Sequence, residues 1–153
     1  MKKTAVAAAV VIALGAVGGA ALAQVKPDVL VKQRQSAMTL IGKYFGPLGG
    51  MAQGRVPFDA KVVQRNADYL NALAQMPWDA FDPSTKDVTV KTAALPEIWS
   101  NPGKFKEAQE RLQSEMAKLA STAKAGEEGA IKAQIGAVGK ACANCHDTFR
   151  QKQ

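Results

Sequence analysis

Two cysteines and a histidine near the C terminus have the spacing of a reactive cluster. Cys142, Cys145 and His146 form a C-x-x-C-H sequence, and positions i, i+3 and i+4 of a helix share one face. On such a face, two thiols can add to the two vinyl groups of a porphyrin while the imidazole lies beneath its iron. The motif therefore predicts one covalently attached haem c, with thioether bonds at Cys142 and Cys145 and with His146 as the axial iron ligand.

Three other uses of paired cysteines are less compatible with this sequence. A thioredoxin-like C-x-x-C requires a strand before it and a helix after it, whereas the pattern around this motif is helical. A zinc site would have two cysteines and one histidine, with no second cluster to complete four ligands. A disulfide between cysteines three positions apart would close a trivial loop and add little stability. Haem attachment is therefore the favoured interpretation.

The histidine content limits how the iron can be ligated. His146 is the only histidine in the chain, so two histidine ligands from one subunit are excluded. The sixth position can hold a methionine, a lysine, an exogenous molecule or nothing.

Apolar residues repeat at intervals of three and four in four segments, a pattern typical of amphipathic helices. The first segment starts near Pro27 and is predicted to fray or end within residues 46–50, which contain Pro47 and three glycines. The second starts at Asp59, a good N-cap residue, and must stop before Pro77.

The third and fourth helices follow a long crossover. Residues 78–100 are rich in turn formers, and a short helical turn is expected around residues 97–99. The third helix is predicted to start with Asn101 as its capping residue and Pro102 at its first position, and to end at Gly126. In the last helix, both cysteines of the motif belong to the predicted buried stripe. Four helices with one long connection and no strand-like alternation predict an all-α fold, an antiparallel four-helix bundle with the haem in its core.

The N terminus has the features of a secretory leader. Lys2 and Lys3 precede an alanine-rich apolar run without acidic residues, which ends in an Ala-Leu-Ala sequence at residues 21–23. We expect residues 1–23 to be a cleaved Sec-type signal peptide and residues 24–153 to form one domain in the periplasm.

Charge and hydropathy limit the classes of partner. The formal net charge of +7 would fall to +5 with loss of the two leader lysines. The remaining lysines and arginines are scattered, which is not the pattern of a nucleic-acid-binding surface. No second apolar run has the length of a membrane span. We therefore expect neither nucleic acid nor a membrane as a partner.

Three segments of the chain resemble the cytochrome c′ family, the class II c-type cytochromes. They are the C-x-x-C-H motif with residues 147–150 after it, residues 32–40 in the first helix, and residues 57–60 at the start of the second. The likeness spans residue 24 to the end of the chain. The resemblance implies a periplasmic homodimer with a five-coordinate, high-spin haem, an apolar side chain over the distal face, and binding of nitric oxide and carbon monoxide.

The resemblance also implies roles for three further residues. Arg34 matches the residue that pairs with a haem propionate, Met38 occupies the distal position, and Arg150 matches the basic residue beside the proximal face. The simpler interpretations are a surface arginine, a core methionine and a favourable charge at a helix C terminus, respectively.

Two functions remain open from the sequence. In the favoured one, the haem protein binds small diatomic gases and also has an electron-transfer role, because an apolar distal face without a second histidine offers no hydrogen bond to bound oxygen or anions. In the other, Met38 ligates the iron and the protein is a low-spin His/Met electron carrier that does not bind gases. An enzyme such as a peroxidase is the weakest hypothesis, since no spare histidine could act as acid or base. The sequence indicates no particular redox partner protein.

Overall fold

The computed structural model describes residues 25–152, so the predicted signal peptide lies outside the described residues. Four long helices and one short helix account for most of the chain. They are α1 (Pro27–Ala52), α2 (Ala60–Leu73), the short α3 (Glu97–Ser100), α4 (Pro102–Ala125) and α5 (Glu128–Phe149). The prediction of an all-α four-helix bundle is confirmed.

Connection lengths determine the arrangement of the helices. Residues 53–59 join α1 to α2, and two residues join α4 to α5, lengths typical of antiparallel neighbours. The long crossover, residues 74–101, contains α3 and two 3₁₀ turns, Asp79–Phe81 and Pro83–Thr85. Contacts run from α1 to α2, α2 to α4, α4 to α5 and α5 back to α1, so the long helices enclose one core. Within residues 25–152, no helix is long and apolar enough to cross a membrane.

Local capping signals set three of the helix boundaries. The Asp59 carboxylate accepts hydrogen bonds from the backbone N–H groups of Lys61 (2.9 Å) and Val62 (3.0 Å), which confirms its predicted N-cap role. Gly126 ends α4 with a φ of 82°, a left-handed conformation that favours glycine. Glu127 then caps α5 by accepting hydrogen bonds from the N–H groups of Gly129 and Ala130.

Helix α1 extends beyond its predicted end. It continues through Pro47 to Ala52, although proline has no N–H for the carbonyl of Lys43 and its ring crowds that carbonyl. Leu48 is fully buried and Met51 nearly so, both in the main core. Burial of two such side chains contributes about 3–6 kcal/mol, against a cost of roughly 3 kcal/mol for an internal proline. Tertiary packing therefore decides where α1 ends.

The start of α4 also differs in detail from the prediction. Asn101 precedes Pro102 as expected, but its side chain makes no capping hydrogen bond to the helix. Its amide group faces the hydroxyl of Ser100 at 3.3 Å instead. The first helical position holds Pro102, whose fixed φ is already suited to a helix.

The core is aliphatic along most of the bundle and aromatic at the crossover end. The aliphatic part draws on all four long helices and includes the fully buried Leu70, Leu119 and Val138. At the crossover end, the ring of Phe105 lies 5.0 Å from that of Phe81 and 5.3 Å from that of Phe149, in edge-to-face geometry. The aromatic rings thus pack the crossover against the C-terminal end of α5, which carries the C-x-x-C-H motif.

Candidate functional site

The last two turns of α5 carry the motif at the edge of the core. Cys142 and Cys145 are free thiols and half-buried, and Cys142 packs against the main core cluster. The prediction that both cysteines belong to the buried stripe is wrong, because Val138, Ala141 and Phe149 take the buried positions of this helix. A position at the edge of the stripe leaves both thiols accessible to a group that binds beside the helix.

Burial determines the protonation state of the thiols. It raises the pKa of Cys142, and burial together with the neighbouring Cys142 raises the pKa of Cys145 to about 11. Both groups are therefore neutral thiols at pH 7. Redox-active C-x-x-C cysteines have lowered pKa values, so the site does not have the electrostatics of a thioredoxin-like motif.

Unlike the two half-buried thiols, the side chain of His146 is exposed to solvent, although neighbouring groups shield part of the imidazole ring. This partial burial and the positive charge of Arg150 lower its pKa, against the opposing charge of Asp147. The imidazole is therefore neutral at pH 7, the form that ligates a metal. Within residues 25–152, no group of three or more His, Cys, Asp and Glu side chains has the arrangement of a metal site.

Arg150 lies beside His146 at the end of α5, and its place beside the proximal haem face stays a prediction from the family resemblance. Both residues line an open hollow of about 280 Å³ at the C-terminal end of α5. The other lining residues are Asp147, Gln151 and Lys152. A ligand of His146 at this end of the helix would therefore meet a predominantly basic rim.

Arg34 is buried, with only 3% of its surface exposed, which excludes a surface arginine. Its Nη1 donates hydrogen bonds to the carbonyl of Ala80 (2.9 Å) and to Oγ1 of Thr85 (2.7 Å), and its Nη2 donates to Oγ1 of Thr92 (3.2 Å). The guanidinium also lies over the ring of Phe81, 4.8 Å from its centroid. All of these partners belong to the crossover.

The Arg34 guanidinium has no anionic partner among the described residues, and two of its N–H donors form no hydrogen bond. Burial lowers the pKa of Arg34, yet an arginine keeps its charge in proteins. Its partners among the described residues are neutral oxygens and aromatic rings, and no described carboxylate pairs with it. The Nε hydrogen and one Nη2 hydrogen remain available. A buried cation with free donors fits a carboxylate such as a haem propionate.

Met38 lies one helical turn after Arg34 on α1. It is half-buried and packs against the same core cluster as Cys142 of α5. Met38 and Cys142 therefore both border the main core, which all four long helices form. Taken together, two free thiols, a neutral imidazole, an apolar side chain and a buried cation are a set that fits a covalent haem.

Sequence reasoning missed the polar contacts of the crossover. Thr85 and Thr92 hold the Arg34 guanidinium, and the indole of Trp99 donates to the carbonyl of Phe81 at 2.9 Å. These residues lie in a segment without periodicity, so no local pattern marked them. The only signal was the presence of threonine and tryptophan in a turn-rich stretch.

A family model described as Cytochrome C' matches residues 29–150. The chain belongs to the cytochrome c′ family. Cytochrome c′ of Rubrivivax gelatinosus is 42% identical over 127 residues, which cover 83% of this chain and 98% of that protein. Its crystal structure matches with a TM-score of 0.79 at 41% identity, covering 82% of this chain and 98% of that one.

Two similar structures contain bound gases. A ferrous variant of cytochrome c prime from Alcaligenes xylosoxidans with bound NO is 38% identical, with a TM-score of 0.77 over 85% of this chain and 99% of that chain. A carbon monoxide-bound variant of the same protein is 39% identical, with a TM-score of 0.75 over 83% and 98%. The family binds haem c, and the two cysteines of this chain are consistent with covalent attachment.

Proposed function

We propose that this cytochrome c′ is a periplasmic, five-coordinate, high-spin haem protein that binds nitric oxide and carbon monoxide and also exchanges electrons, rather than an enzyme. Haem supplies, when bound, the iron at which a diatomic gas or an electron is accepted. Cys142 and Cys145 form the thioether links, and His146 is the axial ligand. One observation supports the proposal most directly. Helix α5 holds the only histidine of the chain, whereas α1 offers the apolar side chain of Met38.

An apolar distal side selects among small ligands. Bound oxygen and anions are stabilised by polar distal groups, whereas nitric oxide and carbon monoxide require none. Met38 offers no hydrogen-bond donor. The nitric oxide and carbon monoxide complexes of the Alcaligenes xylosoxidans variants support binding of these two gases by this chain.

Two arginines bind and orient the ends of the prosthetic group. The free Nε and Nη2 hydrogens of Arg34 would donate to a propionate carboxylate, which would give the buried cation a counterion. Arg150 stands beside His146 on the proximal side, where its positive charge helps to keep the imidazole neutral. A neutral imidazole has the free lone pair needed for axial ligation.

The absorption spectrum of the holoprotein tests the proposal. We expect a high-spin ferric spectrum and a ferrous spectrum that shifts when nitric oxide or carbon monoxide is added. A Met38→Leu variant should keep both properties, because leucine has similar volume and no sulfur. A low-spin wild-type spectrum that gas does not move would contradict the gas-binding function.

A second candidate is a low-spin His/Met electron carrier, which is favoured by the position of Met38 at the border of the core, with a thioether sulfur that can ligate iron. Thioether ligation would close the iron to gases and raise its reduction potential. In that case Met38→Leu would convert a low-spin protein into a high-spin one that binds carbon monoxide. The variant therefore separates the two functions by the direction of its effect.

The periplasmic location rests on the leader at residues 1–23. Expression of the full chain in a Gram-negative host should release a haem-containing protein by osmotic shock. Its N-terminal residue should be Gln24. Recovery only of uncleaved chain from the cytoplasm would contradict the proposed export.

The proposed homodimer is supported by the distribution of exposed apolar side chains. Among the described residues, the large exposed apolar side chains lie on α1 and α2 or directly beside them: Val25, Val29, Leu40, Val56, Tyr69 and Met76. Val29 and Leu40 are eleven positions apart, so they share one face of α1. We expect Leu40→Glu to lower the dimer fraction in sedimentation equilibrium, while Ala117→Glu on the exposed side of α4 leaves it unchanged. A wild-type monomer at micromolar concentration would contradict the dimer.

A further inference from the structure

The crossover is tied to α1 by side-chain hydrogen bonds. Arg34 binds Ala80, Thr85 and Thr92, as described above. The adjacent Gln35 adds a further hydrogen bond, from its Nε2 to the carbonyl of Lys91 at 3.0 Å. The segment from residue 79 to residue 96, here termed the strap, is thus fixed to the helix that carries Met38.

The other end of the strap is tied to the end of α5 by backbone hydrogen bonds. The N–H of Leu95 donates to the carbonyl of Phe149 at 3.0 Å, and the N–H of Gln151 donates to the carbonyl of Ala93 at 2.8 Å. These bonds form the isolated antiparallel bridge between Ala94 and Arg150. The Phe149 carbonyl belongs to the last turn of α5, where helical carbonyls otherwise lack partners.

The bridge continues directly into the turn that carries the axial ligand. The N–H of Arg150 donates to the carbonyl of His146 at 3.1 Å, which closes the last turn of α5. Arg150 itself is extended, with φ −126° and ψ 133°. The backbone of Arg150 therefore both ends helix α5 and pairs with the strap in the bridge.

The side chain of Thr92 connects the hydrogen bonds of Arg34 to the backbone bridge at the end of α5. Oγ1 of Thr92 accepts a hydrogen bond from Nη2 of Arg34 and another from the N–H of Ala94, both at 3.2 Å. Ala94 is the strap residue of the bridge. Hydrogen bonds at both sides of Thr92, joined by the backbone of residues 93–95, therefore connect Arg34, one turn before Met38, to the turn that holds His146.

We propose that Thr92 is a positioning residue, through which the strap fixes the orientation of the His146 turn relative to α1. This inference rests on the proposed role of His146 as axial ligand. Thr92 touches neither the motif nor Met38 by hydrogen bond, so it acts on the haem site only through Arg34 and the bridge. The strap therefore connects α1, which carries Met38, to the last turn of α5, which carries His146. This connection adds to the contacts that both helices make in the bundle core.

The test compares Thr92→Val with Thr92→Ser in the holoprotein. Valine has the shape of threonine but no acceptor, whereas serine keeps the hydroxyl. In Thr92→Val, we expect the amides of Leu95 and Gln151 to exchange with solvent about three- to ten-fold faster, since local opening loses the support of a hydrogen bond. Thr92→Ser should restore the wild-type exchange rates.

A second readout reports on the ligand directly. The iron–histidine stretching frequency of the ferrous protein, measured by resonance Raman spectroscopy, should shift in Thr92→Val and return in Thr92→Ser. Thr89→Val is the matched control, because Thr89 is an exposed residue of the same strap. It should change neither readout.

The possible outcomes separate this inference from the proposed function. Wild-type exchange rates and an unshifted iron–histidine frequency in Thr92→Val would overturn the positioning role while leaving the gas-binding function intact. A wild-type spectrum without histidine ligation would overturn the proposed function itself. If Thr92→Val yields no holoprotein, Thr92→Ala removes the same acceptor with less side-chain bulk, and unchanged readouts there would equally overturn the proposal.

Discussion

The two ends of the bundle are held together by different kinds of interaction. At the end formed by the α1–α2 and α4–α5 connections, stabilising contacts are local in sequence. Asp59 and Glu127 cap N–H groups two and three residues ahead, and Gly126 turns the chain between α4 and α5. Each of these boundaries needs only its own few residues.

The crossover end depends on contacts between distant residues. The partners of Arg34 at Ala80, Thr85 and Thr92 lie 46, 51 and 58 residues away in sequence. The aromatic cluster there joins the crossover to α4 and α5 in the same way, through Phe81, Phe105 and Phe149.

This difference coincides with haem binding by the family, because the C-x-x-C-H motif belongs to the crossover end. A bundle can form from amphipathic helices with good caps, but a haem site requires side chains of several elements in one geometry. The buried guanidinium supplies much of that geometry. Loss of Arg34 should therefore affect the functional end far more than loss of a cap affects the opposite end.

The largest expected effect is that of Arg34→Leu. The substitution leaves the carbonyl of Ala80 and the two threonine hydroxyls without their donor in a buried region, at a cost of about 3 kcal/mol in the free energy of unfolding. Denaturant titration of the holoprotein measures this loss. Amide exchange should accelerate in residues 79–96 and remain unchanged near Asp59.

Two variants control for charge and for position. Arg34→Lys keeps the positive charge, but its single nitrogen cannot reach all three oxygens that the two Nη atoms of arginine contact separately, so it should fall between wild type and Arg34→Leu. Lys32→Leu removes an exposed charge from the same helix and should change stability by less than about 0.5 kcal/mol. Equal losses in Lys32→Leu and Arg34→Leu would contradict the special role of the buried guanidinium.

The same contrast explains which features could be predicted from sequence. The N-cap at Asp59, the stop at Gly126 and the C-x-x-C-H motif depend on residues close together, and their spacing shows in the sequence. The hydrogen bonds from Arg34 to Thr85 and Thr92 join residues that are more than 45 positions apart in the sequence. No local pattern predicts such contacts. The resemblance to the family selected Arg34 and Arg150, but it did not indicate that Arg34 is buried in the crossover.

Pro47 tests how far tertiary packing overrides a local signal. Its sequence context predicts a helix end, yet α1 continues because Leu48 and Met51 are buried. Pro47→Ala restores an N–H donor for the carbonyl of Lys43 and removes the ring clash. We expect it to stabilise the protein by about 1–2 kcal/mol, less than the full cost of an internal proline because the unfolded chain also gains freedom.

Gly46→Ala is the control for Pro47→Ala, since an added Cβ at Gly46 meets nothing within 4 Å. It should stabilise α1 by at most about 1 kcal/mol through helix propensity alone. If Pro47→Ala destabilises the protein in thermal unfolding, the proline contributes a contact that the helix geometry requires, and packing is not the sole reason that α1 continues.

The smallest effect is expected at the local end, in Glu127→Gln. Backbone hydrogen bonds from Ala130 and Gly129 lower the pKa of the Glu127 carboxyl. A carboxyl with a lowered pKa in the folded state stabilises the protein above its unfolded pKa of about 4.3, and this contribution disappears as pH falls through the folded pKa. Wild type should therefore unfold about 2 °C above Glu127→Gln at pH 7, and the gap should close near pH 3.

The pH dependence of that gap distinguishes a cap from a general charge effect. Glu107→Gln removes an exposed carboxylate from α4 without removing a cap, so it should leave the melting temperature unchanged at both pH values. A gap in Glu127→Gln that persists at pH 3 would mean that the glutamate acts by packing rather than through its charge. Because α5 carries the motif at its other end, loss of this cap should also leave the haem spectrum unaltered, which would show that the two ends of one helix are stabilised independently.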